Sequence, residues 1–154
     1  MMVMKFLLTR ELGRLSKWLR ILGFDARYEP SGNKSFAMIE ALKEERVVLT
    51  RNLRFGTRHG GNVIFIKHDE LLDQLKDLFS QVDLKTAGGH QLFSRCTVCN
   101  VRLESISKAQ VRERVPAYVY ETHDEFMRCP KCARVYWKGT HWGNVEEILK
   151  KIEE

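Results

Sequence analysis

Two pairs of cysteines, Cys96-x-x-Cys99 and Cys129-x-x-Cys132, have the residue type and spacing for metal chemistry, and they are the only cysteines in the chain. Two intervening residues let both thiolates of a pair face one ion from a tight turn, and two such turns close a tetrahedral shell of four sulfurs. Asn100 follows the first pair, and Pro130 and Lys131 lie inside the second, so each pair sits in a turn-like context. A redox dithiol needs only one pair; two matched pairs fit a structural Zn²⁺ better. A closed Cys₄ shell leaves no position for water, so this zinc is expected to hold structure and not to catalyse. His123 and His141 are the other zinc-ligand types nearby, but four matched cysteines leave them no place in the shell. His123-Asp124 has no nucleophile beside it and is read as structural.

The second chemical feature is cationic. The chain carries 26 Lys and Arg against 20 Asp and Glu, a formal net charge of +6. Zinc on four thiolates contributes about −2, which nearly neutralises residues 89–154 and leaves the positive surplus in residues 1–88. Lys5 to Arg20 holds five cations and the single acid Glu11, and Arg46 to His68 holds five Lys or Arg and no acid. Such clustering favours polyanions, meaning nucleic acid or an anionic membrane surface, over a charge that serves only solubility. Arg10, Arg14 and Lys17 fall at helical spacing on one face, while Arg51, Arg54 and Arg58 repeat beside His59 and Gly60-Gly61. Arginine forks onto phosphate oxygens, and glycine lets a backbone approach closely. With Lys5, these residues are the candidate phosphate contacts. Tyr136, Trp137 and Trp142 have the type to stack on bases, but in so small a module they are expected to form its core.

These residues need elements to position them. Met4 to Leu8 predicts a short buried strand, and Leu12, Leu15, Leu19 and Leu22 an amphipathic helix stopped by Gly23. A second strand is expected at Asp25 to Tyr28 and a loop at Glu29 to Asn33. A helix carrying Phe36, Ile39, Ala41 and Leu42 follows, then a buried strand at Val47 to Thr50 and a turn or short helix at Arg51 to Phe55. A buried strand at Val63 to Ile66 and a helix from Leu71 to Phe79 complete the pattern. Alternating strands and helices predict an α/β domain with a parallel sheet, residues 1–86, whose site lies beyond the carboxyl ends of the strands. Thr86 to His90 reads as a linker, followed by a small zinc-stapled β module with a C-terminal helix, residues 91–154. No stretch reaches the ~18 apolar residues of a membrane span. The apolar start runs directly into Arg10 and Glu11, unlike a secretory signal. A reducing cytoplasm is the expected compartment.

Phe6 to Asp25 resembles the opening signature of the Mut-seven C-terminal ribonuclease domain family, and so does Val48-Leu49-Thr50-Arg51. The second part is similar too, through Leu92 to Asn100, Val111 to Pro116, His123 to Phe126 and Arg128 to Trp137. The resemblance covers nearly the whole chain. It implies a PIN-like α/β nuclease domain followed by a zinc ribbon, directed at RNA, with acids that bind Mg²⁺ or Mn²⁺.

The departures from the family pattern bear on activity. Thr9 stands where the first strand of the family ends in Asp, and Asn52 where Thr-Arg-Asp is usual. The stretch expected to be acidic has only Glu29, with Lys34 inside it; Asp69 is the remaining acid at a family position. Two-metal hydrolysis needs several carboxylates to hold divalent ions close together. The leading expectation is therefore an RNA-binding protein with impaired or lost nuclease activity, with a ribonucleoprotein such as the ribosome as a candidate partner. Two alternatives stand beside it: an active Mg²⁺- or Mn²⁺-dependent ribonuclease using Asp69 with Glu11, Glu29 or Asp25, and a protein-interaction module. Glu11 opens a helix, where a carboxylate favours the dipole, and that role is the expected one.

Overall fold

A computed structural model describes residues 4–55, 62–83, 92–139 and 141–153, with only the backbone described at 141–143. By contacts the chain divides into two units, Met1–Asn100 and Val101–Glu154.

The first unit is built on four parallel strands in the order β2-β1-β3-β4: β1 (Phe6–Leu8), β2 (Ala26–Tyr28), β3 (Val47–Thr50) and β4 (Val63–Phe65). β1 is central, and all three of its side chains are fully buried. A strand covered on both faces must be apolar throughout, which is why Phe-Leu-Leu does not alternate with polar residues. β4, at the sheet edge, is only half-buried, where the apolar run had suggested full burial. After β1 the chain makes a 3₁₀ turn at Arg10–Leu12 and enters helix α1 (Gly13–Ile21). Leu12, Leu15, Leu19 and Leu22 are all buried, so the three-and-four spacing marks the inner face of this segment. Gly23 follows with φ +96°, a left-handed value that suits glycine.

Successive side chains of β1 point to opposite faces of the sheet. Leu7 packs with Val48, Phe55 and the two small residues of helix α2 (Lys34–Glu44), Ala37 and Ala41. Phe6, on the other face, meets Phe24 edge-on at 5.5 Å between ring centroids, and Phe24 stacks on Phe79 of helix α3 (Leu71–Gln81) at 5.7 Å. Helices therefore cover both faces of the sheet. α2 forms where the pattern placed a helix, but its alanines face inward and let the helix approach closely. Phe36, Ile39 and Leu42 are 41, 52 and 61% exposed.

The second unit holds an antiparallel sheet of β5 (Glu104–Ile106), β6 (Phe126–Arg128) and β7 (Val135–Tyr136). Two short helices, α4 (Lys108–Val111) and α5 (Ala117–Thr122), come between β5 and β6, and helix α6 (His141–Glu153) ends the chain. Val111, Val115, Val119 and Phe126 form its core, with Trp137 packed against them. Trp137 is thus half-buried against this core, and Tyr136 is half-buried too.

Candidate functional site

The carboxyl ends of β1, β2 and β3 open onto a shallow cleft. Thr9, Arg10 and Glu11 reach it from β1, Glu29 from β2, Thr50 and Asn52 from β3, and Gly32, Asn33 and Lys34 from the start of α2. This is the position where parallel α/β sheets gather ligand-binding residues.

Glu11 is the centre of its hydrogen bonding. One carboxylate oxygen, Oε1, accepts from the Thr9 hydroxyl at 2.6 Å, the Thr50 hydroxyl at 3.0 Å and the Arg51 backbone N–H at 2.9 Å. The residue as a whole is exposed, yet its carboxylate ties together the ends of two neighbouring strands. Burial pushes the Glu11 carboxyl upward, but the hydrogen bonds from Thr9, from backbone N–H groups and from Thr50 more than offset this. Its pKa lies below the ordinary value. Glu11 thus does more than favour a helix dipole. The clue in the sequence is a threonine at the end of each of two strands, but their adjacency depends on β1 pairing with β3.

Glu29 is buried, and its Oε1 accepts from the Ser31 N–H at 2.9 Å; hydrogen bonding by the Ser31 side chain, and then by this N–H, holds its carboxyl below the usual range. Asn33 caps α2 by accepting from the Phe36 N–H at 2.9 Å. Asn52 caps the helical turn at 53–55 in the same way, accepting from the Arg54 N–H at 3.0 Å. The Asn52 side chain therefore supports the backbone. Thr9, 9% exposed, supports Glu11.

The sequence-derived cations do not form one surface. Arg10, Arg14 and Lys17 are exposed along the 3₁₀ turn and α1, Lys34 is exposed at the cleft, and Arg54 is exposed in the turn after β3. Lys5 precedes β1 and is half-buried at the opposite end of the sheet, where its carbonyl accepts from Val47 N–H at 2.8 Å. Arg51 forms an ion pair with Asp69. Asp69 is 79% exposed and is not among the cleft residues. Arg58, His59 and Gly60-Gly61 lie outside the described residues, as do the linker 86–90 and the side chains of His141 and Trp142.

The four cysteine sulfurs all lie within 4.8 Å of one another. The two turns share one geometry. Asn100 N–H donates to Cys96 O and Ala133 N–H to Cys129 O, both at 2.9 Å. Cys99 N–H donates to Cys96 Sγ and Cys132 N–H to Cys129 Sγ, both at 3.4 Å. Asn100 and Ala133 have φ of +66° and +64°. Backbone N–H groups directed at sulfur favour thiolates, and four thiolates at this spacing fit a tetrahedral metal such as Zn²⁺. Among the described residues this is the one group of three or more Cys, His or acid side chains placed to share an ion. The cleft carboxylates Glu11 and Glu29 do not assemble such a group with a third acid. His123 is engaged elsewhere, with Nδ1 3.2 Å from Val119 O and Nε2 2.9 Å from Lys138 O.

No helix among the described residues is long and apolar enough to cross a membrane. Neither the curated proteins nor the solved structures contain a match to this chain. A family model described as the Mut7-C RNAse domain matches residues 4–149, and the chain belongs to that family.

Proposed function

We propose that this protein binds RNA through the cleft and the cations around it, and that it has lost most or all metal-dependent cleavage. The observation that carries this reading is the donor set of the cleft. Hydrolysis by paired divalent ions needs several carboxylates with oxygens to give to metal. The described cleft lining supplies Glu11 and Glu29, with one Glu11 oxygen already shared by three donors. Thr9 and Asn52 add neutral oxygens that are themselves engaged, and Asp69 is paired with Arg51. Arg10 and Lys34 flank these acids, and Arg14 and Lys17 extend the positive surface along α1.

On this reading the cations hold the phosphate backbone while Glu11 stiffens the cleft floor. Affinity for a single-stranded RNA should fall steeply as salt rises, because each neutralised phosphate releases a counterion. Arg10→Ala, Arg14→Ala and Lys17→Ala should each reduce the log–log salt slope by about one. A slope that stays flat in the wild-type protein contradicts the proposal.

A second reading is residual Mg²⁺- or Mn²⁺-dependent ribonuclease activity centred on Glu11 and Glu29. Both carboxyls line one cleft, and both are held below their ordinary pKa values, hence ionised at neutral pH. Chelator-sensitive cleavage lost in Glu11→Gln would favour it.

A further inference from the structure

Strand β2 is an edge strand, so the backbone groups on its outer side lack a strand partner. The first cysteine turn supplies partners instead. Ala26 N–H donates to Asn100 Oδ1 at 3.0 Å, and Ala26 O accepts from Arg20 Nε at 2.9 Å. The same guanidinium donates through Nη1 to Thr97 O at 2.8 Å and Val98 O at 3.2 Å, the two carbonyls between Cys96 and Cys99. Asn100 Nδ2 donates to Asp25 Oδ1 at 2.7 Å, where Arg46 Nη1 also donates at 2.7 Å. Arg95 joins Gly23 O at 3.3 Å to Asn100 O at 2.8 Å. Arg20 and Arg46 are each only 9% exposed.

We propose that the first cysteine turn is a metal-dependent brace on β2, so that loading the Cys₄ site and ordering this wall of the α/β sheet form one coupled equilibrium. Metal bound by Cys96 and Cys99 would fix the turn whose carbonyls hold Arg20 and whose Asn100 completes the outer edge of β2. Without metal, residues 96–100 need not keep that conformation, and the bonds from Ala26 N–H to Asn100, from Asn100 to Asp25 and from Arg20 to the two turn carbonyls would be lost together, while Asp25 keeps Arg46. Glu29 follows β2 and lines the cleft, so the brace reaches the cleft wall. Coupling works both ways: whatever metal does for β2, the β2 contacts must do for metal affinity. The brace stands on these contacts whether or not the cleft binds RNA.

Amide hydrogen exchange on the full chain, zinc-loaded and after chelation, tests the proposal. Exchange at Ala26 should quicken about tenfold or more on chelation, within the range of ordinary site coupling. Asn100→Gly keeps the left-handed backbone of the turn while removing the side chain. In the zinc-loaded variant Ala26 should again exchange faster. Its affinity for Co²⁺, read from the thiolate absorption in competition with a chelator, should fall about fivefold or more. Unchanged exchange at Ala26 on chelation would overturn the brace. So would an Asn100→Gly variant that binds Co²⁺ as tightly as the wild-type protein.

Discussion

Three donors converge on one oxygen of Glu11, and the consequence is a definite pH behaviour. Its folded pKa lies below 4.5, so its stabilising contribution is complete above that value and is lost as pH falls through the depressed folded value. Glu11→Gln should therefore melt below the wild-type protein at neutral pH. The gap should close as pH drops below 4.5, as followed by thermal melts at a series of pH values. A gap that stays constant down to the acid limit contradicts this. Ala133 offers a second residue-scale prediction. Its φ of +64° is a left-handed value that costs a non-glycine residue about 1–2 kcal/mol. Ala133→Gly should stabilise the zinc-loaded protein by roughly 0.5–1 kcal/mol in denaturant titrations, glycine's greater unfolded-state freedom taking back part of the gain.

The elements separate apolar residues that matter from those that do not. Leu7 is fully buried between α2 and the sheet, so Leu7→Ala should cost about 2–5 kcal/mol. Leu42, on the same helix–sheet layer but 61% exposed, should lose no more than about 0.5 kcal/mol on the same change. Equal losses in chemical denaturation would contradict the layer arrangement. This difference also marks what the sequence revealed. β1, β3 and α1 were legible because an unbroken apolar run and a three-and-four leucine stripe are local signals. The inward face of α2 was not, because Ala37 and Ala41 win their place by letting the helix approach closely, while the larger Phe36 and Ile39 carry the stronger hydropathy signal. α4 and α5 are only four and six residues long, too short for any period to emerge. At the site, the cysteine turns were plain from spacing. The role of Glu11 was not, because its partner Thr50 is 39 residues away and becomes a neighbour only through the pairing of β1 with β3.

At the scale of the molecule, a small unit accompanies a larger one that carries a sheet with a cleft. Val101–Glu154 has a core of a few valines and one phenylalanine, and domains of that size need a staple. Removing the metal should abolish the near-ultraviolet circular dichroism of Trp137, and restoring Zn²⁺ should recover it; an unchanged spectrum after complete chelation would deny the metal a structural role. The cleft decides the account as a whole. Single-stranded RNA incubated with the metal-loaded protein and Mg²⁺ or Mn²⁺ at low salt should be retained in a salt-sensitive complex and recovered intact. Divalent-dependent cleavage of that RNA, stopped by chelation of the added cation and absent from Glu11→Gln, would contradict the account.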